Sequence, residues 1–177
     1  MSLFFRPLIW AALALTLAAC SPTYNWRELR DDAIPLKAII PCKPDRGERV
    51  VPLGGQARTL RMHSCEAGGQ TFAIGWVDLP AETGAAEVLA VWRQATLANL
   101  GIDADRATDP SFDWPARVPG ADPVRGLDAS GQRQDGVAVQ VRAAFFVHGG
   151  RAYQAAMYGQ RIPTEVAANF FEALRFP

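Results

Sequence analysis

Residues 137–159 read VAVQVRAAFFVHGGRAYQAAMYG, and this stretch decides the fold. Val137, Val139, Val141, Ala143, Phe145 and Val147 alternate with Ala138, Gln140, Arg142, Ala144, Phe146 and His148, a two-residue period that belongs to a strand and not to a helix. Gly149-Gly150 interrupts the run before Arg151 to Gly159 resume it, so two antiparallel strands joined by a tight turn are expected. Two registers compete. A two-residue turn at Gly149-Gly150 sets Phe145 opposite Gln154. A three-residue turn from His148 to Gly150 sets Phe145 opposite Tyr153 and Val141 opposite Met157. The second places apolar residues against apolar residues and is the expected register.

Outward from this hairpin, Val124 to Ala129 predict a preceding strand that turns back through Ser130-Gly131 and Asp135-Gly136. After it, Thr164 is expected to cap a helix with Val166, Phe170 and Leu174 on one face and Ala167 and Phe171 beside them. The first half of the chain repeats the order. Phe72, Ile74 and Trp76 alternate with Ala73, Gly75 and Val77, and Val50 to Leu53 and Thr59 to Met62 flank Gly54-Gly55. A meander of strands near 36–42, 58–65 and 70–78 is expected. A helix then runs from a Thr83 cap to Gly101, with Leu89, Trp92, Thr96 and Leu100 on its buried face and Arg93 and Gln94 turned away. The order β-β-β-α-loop-β-β-β-α implies an α+β domain: an antiparallel sheet of about six strands covered by two helices.

The amino terminus carries an address. Residues 1–20 read MSLFFRPLIWAALALTLAAC: Arg6, then an apolar run from Leu8 to Leu17 that is too short to span a bilayer, which needs about 20 residues. Leu17-Ala18-Ala19-Cys20 resembles the bacterial lipobox. That resemblance implies cleavage before Cys20, lipidation of its thiol, and anchoring to the membrane through the N-terminal lipid. Ser21 follows, not the aspartate of an inner-membrane retention signal, so the expected location is the cell envelope, at the outer membrane facing the periplasm. The chain then divides into a signal peptide (1–19), a lipid-anchored tether (20–35) and one domain (36–177). Tyr24 and Trp26 in the tether suit either the membrane surface or the domain.

With Cys20 lipidated, Cys42 and Cys65 remain as an even pair in an oxidising compartment. A turn near Gly54-Gly55 brings them nearly opposite one another, so a disulfide is expected, stabilising by roughly 3 kcal/mol in the chain-entropy model. The rival reading, a metal site of Cys42, His63 and Cys65, lacks a fourth ligand at a sensible spacing.

The chain holds 18 basic and 18 acidic residues, which offers no basic field for nucleic acid. Residues 102–123, IDADRATDPSFDWPARVPGADP, form a long loop. Its aspartates do not make an EF-hand, because Ala107, Thr108 and Trp114 stand where an oxygen ligand, glycine and glutamate are needed. Long loops in compact domains tend to be functional or mobile, which makes Phe112 and Trp114 the candidate partner-binding surface. The alternative is that both rings cover the core. No Gly-x-Ser-x-Gly elbow, phosphate loop or His-Glu-x-x-His occurs. His63 and His148 read as solvent-facing strand residues, and no catalytic residue, metal or cofactor is assigned.

The element order, the Pro-containing early strand and the terminal helix ending Phe170-Phe171-Glu172-Ala173-Leu174-Arg175-Phe176 together resemble the PsbP-like family of small α+β domains, over about residues 36–176. The chain also looks like proteobacterial lipoproteins with a PCKPDR and SCEAGG core (Pro41 to Arg46, Ser64 to Gly69). The resemblance implies a docking or assembly domain without enzymatic activity, whose partner is an envelope protein. It transfers no functional residues. The competing reading is a carrier of a small apolar ligand held between sheet and helices; an enzyme ranks last.

Overall fold

The computed structural model describes residues 22–80 and 84–177. The signal segment, Cys20 and the proposed Thr83 cap lie outside the described residues.

Six strands form one antiparallel sheet: β3 (Asp45–Leu53), β4 (Gln56–Ala67), β5 (Gln70–Asp78), β6 (Val124–Gln132), β7 (Ala138–His148) and β8 (Arg151–Gly159), in the spatial order β3-β4-β5-β8-β7-β6. Two three-stranded meanders thus meet at β5 and β8. Two short strands, β1 (Arg27–Glu28) and β2 (Ile39–Ile40), pair separately. Helix α1 (Ala85–Ala98) follows β5, and α2 (Thr164–Glu172) follows β8.

The helices cover opposite faces of the sheet. On one, Val88, Leu89, Trp92 and Leu97 of α1 pack against Val77, Val141, Phe145 and Ala156. On the other, Ala167, Phe170 and Phe171 of α2 pack with Phe72, Ile74, Phe146 and Tyr153, joined by Leu29, Ile34 and Leu36 from the N-terminal segment. Central strands buried on both faces read as continuous apolar runs, and this explains the composition of 138–148.

The same double burial corrects the expected register of the second hairpin. Phe145 lies opposite Gln154, and Phe146 opposite Tyr153. The turn is the two-residue Gly149-Gly150, both glycines at positive φ (57° and 72°), the geometry whose twist matches the flanking strands. With both faces buried, apolar matching cannot choose between registers. Phe146 stacks on Tyr153 on the α2 face, rings 5.3 Å apart. On the α1 face Gln154 satisfies its amide by donating to Thr96 Oγ1 at 3.0 Å.

Three other expectations change. The strand beside β4 is Asp45–Leu53, whereas Ile39–Ile40 of the expected 36–42 strand pairs with the tether residues Arg27–Glu28. Ser130-Gly131 continues β6 and is not a turn. Helix α1 is capped at Gly84, and Thr164 is the first residue of α2, with Pro163 at the cap; a proline carbonyl starts the helix without needing a side-chain cap.

The Cys42–Cys65 disulfide is present, with Cα atoms 5.9 Å apart. It fastens the segment after β2 to β4, the strand next to the β3 edge.

Candidate functional site

The N-terminal segment is built into the domain from Tyr24 onward. The Tyr24 hydroxyl donates to Gln70 Oε1 at 2.7 Å, and its ring fills the space over Gly68, where an added Cβ would lie 2.2 Å from that hydroxyl oxygen. Trp26 meets Phe72 edge-on, centroids 6.0 Å apart. Both rings therefore dock on the domain.

Beyond them the segment crosses a polar cluster on the α2 face. Asp31 Oδ2 lies 2.6 Å from Nε2 of His63, and Oδ1 accepts from the Ala33 amide at 2.8 Å. His63 is 1% exposed and lies against Trp76, ring centroids 5.3 Å apart. The expectation of a solvent-facing histidine fails here because the tether folds over β4, a contact between residues 32 apart in sequence. Burial works against the Asp31 carboxylate, yet the Ala33 amide, His63 and Arg46 outweigh it and hold its pKa below the ordinary aspartate value. Alongside, Asp78 accepts from Arg151 Nε at 2.8 Å and from Arg61 Nη1 at 2.9 Å. These arginines, against the cost of partial burial, keep the Asp78 pKa low. Arg151 also donates to the Ala33 carbonyl, and Arg46 to the Arg30 carbonyl.

A carboxylate-oriented histidine is half of a general-base arrangement. Here its Nδ1 is buried with no hydrogen-bond partner. Ser64, the next residue, points to the other face of β4. Cys65 is held in the disulfide, and among the described residues no group of three or more His, Cys, Asp or Glu is placed to hold a metal ion. The cluster's contacts run to the backbone of residues 30–33, so what it does in this arrangement is clamp the tether.

The candidate surface residues Phe112 and Trp114 sit on opposite faces of the sheet. Phe112 is buried in the α1-side core, under the Arg106 guanidinium at 5.3 Å from the ring centroid. Trp114 packs on Phe171, 5.1 Å between centroids, and its indole N–H donates to the Ala143 carbonyl at 2.9 Å. The loop between α1 and β6 thus wraps the β6 edge from one face to the other. Two glycines of β6 admit it: an added Cβ would stand 2.1 Å from the Trp114 carbonyl oxygen at Gly126, and 2.2 Å from that of Leu100 at Gly131. Arg93, expected to face away, reaches this loop and pairs with Asp113 at 2.8 Å.

The opposite edge is open. Residues Asp45 to Val50 of β3 are all exposed, and Val50, 70% exposed, is a large apolar side chain left to solvent. Leu53 and Gln56 close a two-residue turn, so they form a hydrogen-bonded pair and the odd-numbered residues of β3 direct their backbone groups at β4. Arg46, Glu48 and Val50 direct theirs outward, where none bonds to another described backbone group. Pro52, without an N–H, also falls in this outward set, as edge prolines must. Sequence reasoning found the end of this strand, Val50 to Leu53 before the Gly54-Gly55 turn, but passed over Asp45 to Arg49; the signal available there was Asp45-Arg46-Gly47-Glu48-Arg49, alternating charge between Pro44 and Pro52.

Between α1 and the sheet the space is filled by Leu89, Trp92 and Leu97. A crevice of about 440 Å³ lies between α1 and the loop that follows it, lined by Leu89, Ala90, Arg93, Ala107 and Asp113, and open to solvent. Comparison of the chain with protein-family models, with curated proteins and with solved structures finds no match.

Proposed function

We propose that this is a lipid-anchored envelope protein that works by holding a protein partner, with the β3 edge as its docking element. The observation that carries this reading is the asymmetry of the sheet: the protein's own loop packs against β6 at Gly126 and Gly131 and accepts from the Gln132 amide, whereas Asp45 to Val50 of β3 are exposed and make no outward backbone hydrogen bond to the described residues. An open edge is a template for strand addition, in which main-chain hydrogen bonds give affinity and alternate side chains give specificity. The filled interface beneath α1 argues against a ligand carrier, since such sites need an apolar cavity. The lipobox-like Leu17-Ala18-Ala19-Cys20 supports the anchor, and the PsbP-like resemblance supports an assembly role over an enzymatic one.

Photo-crosslinking in intact cells tests the reading. A crosslinking residue at Val50 should capture protein adducts that one at Arg133, on the far side of the sheet, does not. Equal capture at both sites, or capture at neither, rules against β3 as a docking element. Fatty-acid labelling lost on Cys20→Ser tests the anchor separately.

A further inference from the structure

We propose that the partner of the β3 edge is a second copy of this chain, paired β3 to β3 in antiparallel register about a two-fold axis at Gly47. This rests on the reading of β3 as a docking edge and is independent of the lipid anchor.

Backbone geometry restricts the choices. In an antiparallel ladder, residues that point their N–H and C=O outward on one strand must face residues that do so on the other. In β3 these are Arg46, Glu48 and Val50, so a self-pairing must place even-numbered residues opposite even-numbered ones. Three central registers satisfy this. Centring on Arg46 sets that arginine against itself and Lys43 against Arg49. Centring on Glu48 sets two glutamates face to face. Centring on Gly47 sets Arg46 opposite Glu48 on one face of the sheet and Asp45 opposite Arg49 on the other, each pair occurring twice. One residue further out, Pro44 faces the exposed Val50.

Of the three, only the Gly47 register opposes unlike charges at every charged position of β3. Like charges directly opposite are destabilising and unlike charges favourable, so the strand that repels other registers admits this one. Arg46 and Glu48 form the hydrogen-bonded pairs of such a ladder. Gly47 falls at a non-hydrogen-bonded position, where the Cα atoms of the two copies approach to about 4.5 Å. Its missing side chain leaves the closest point of the two strands clear: an added Cβ meets nothing within 4 Å in the single chain. The prolines at 44 and 52 confine the ladder to the charged stretch. A single added strand falls short of the roughly 1,200 Å² of a stable interface. The association is therefore weak in dilute solution and gains from copies held together on a surface.

Cysteine crosslinking of the full chain in intact cells tests the register. Gly47→Cys should give a disulfide-linked homodimer on non-reducing gels, since a separation near 4.5 Å lies within the range a disulfide spans. Val50→Cys should not, because its two copies would stand roughly 20 Å apart along the ladder. Adding Arg49→Glu to Gly47→Cys should lower the dimer about tenfold, and adding Asp45→Arg as well should restore it. Retention of the Cys42–Cys65 disulfide and an unchanged melting curve establish that each variant folds. Absence of the Gly47→Cys dimer, equal dimer from Val50→Cys, or no response to Arg49→Glu overturns the proposal. Capture of a different protein at Val50 without a Gly47→Cys dimer overturns self-pairing while leaving β3 a docking edge.

Discussion

Asp31 and His63 form an enclosed side-chain contact between the N-terminal segment and β4. His63 is almost fully enclosed and Asp31 has a side-chain exposure of 13%, so loss of either partner leaves a buried polar atom unsatisfied, which costs about 1–3 kcal/mol. Asp31→Ala should therefore lower stability by about that amount near neutral pH. Because the folded-state pKa of Asp31 is depressed, its contribution is fully present above the ordinary aspartate value of about 4 and is lost as pH falls through the lower folded value. Urea unfolding of both proteins between pH 7 and pH 2.5 checks this. The difference should hold down to about pH 4 and shrink below it; a constant difference would mean that the Asp31 charge plays no part. His63 itself was visible in the sequence, but its environment was not, because the residue that buries it arrives from a segment that reads as tether.

At the scale of elements, the loop between α1 and β6 exchanges one liability for another. A long irregular segment costs conformational entropy, but here it covers an edge strand that would otherwise pair with other chains. Gly126 and Gly131 make the cover possible by letting backbone meet backbone. Gly126→Val should push Trp114 off β6 and destabilise the protein by about 1–3 kcal/mol, the usual range for overpacking. Hydrogen exchange should show the loss concentrated in β6 and residues 110–118. Protection unchanged there would show that the loop does not depend on this approach. The aromatic pair Phe112 and Trp114 was legible as unusual. Its placement, one ring on each face of the sheet, was not, since nothing in a linear loop says that it straddles an edge.

For the whole molecule, the N-terminal segment is the component most altered by tertiary structure. The disulfide, the Asp31–His63 contact and the Arg151 bond to the Ala33 carbonyl all tie it to the six-stranded sheet, and Leu29, Ile34 and Leu36 complete the α2-side core. If Cys20 bears the lipid, only a few residues separate it from Tyr24, which already sits on the β4–β5 turn. At no more than about 3.6 Å per residue, that short spacer would hold this end of the sheet toward the membrane. Replacing both Cys42 and Cys65 by serine should lower stability by about 2–4 kcal/mol and make residues 24–38 the first site of proteolysis. Cleavage starting elsewhere would mean that the packing of Leu29, Ile34 and Leu36 suffices to hold the segment.

The sequence by itself determined the class and order of the elements: the two-residue period of Val137 to His148, the glycine turns and the amphipathic stripe ending at Leu100 are local signals, and local physics suffices to read them. It also determined the disulfide, because Cys42 and Cys65 are the even pair left once Cys20 is set apart, although Cys42 reaches Cys65 from the segment before β3 and not from a paired strand. Tertiary structure decided the rest. It chose the register of β7 on β8, since two buried faces removed the pattern that would have selected one. It placed β3 at an open edge and β6 at the edge against which the protein's own loop packs, since strand order follows from the meeting of β5 and β8, residues about 80 apart. It turned a tether into part of the core, because the apolar surface that binds it exists only once the sheet has formed.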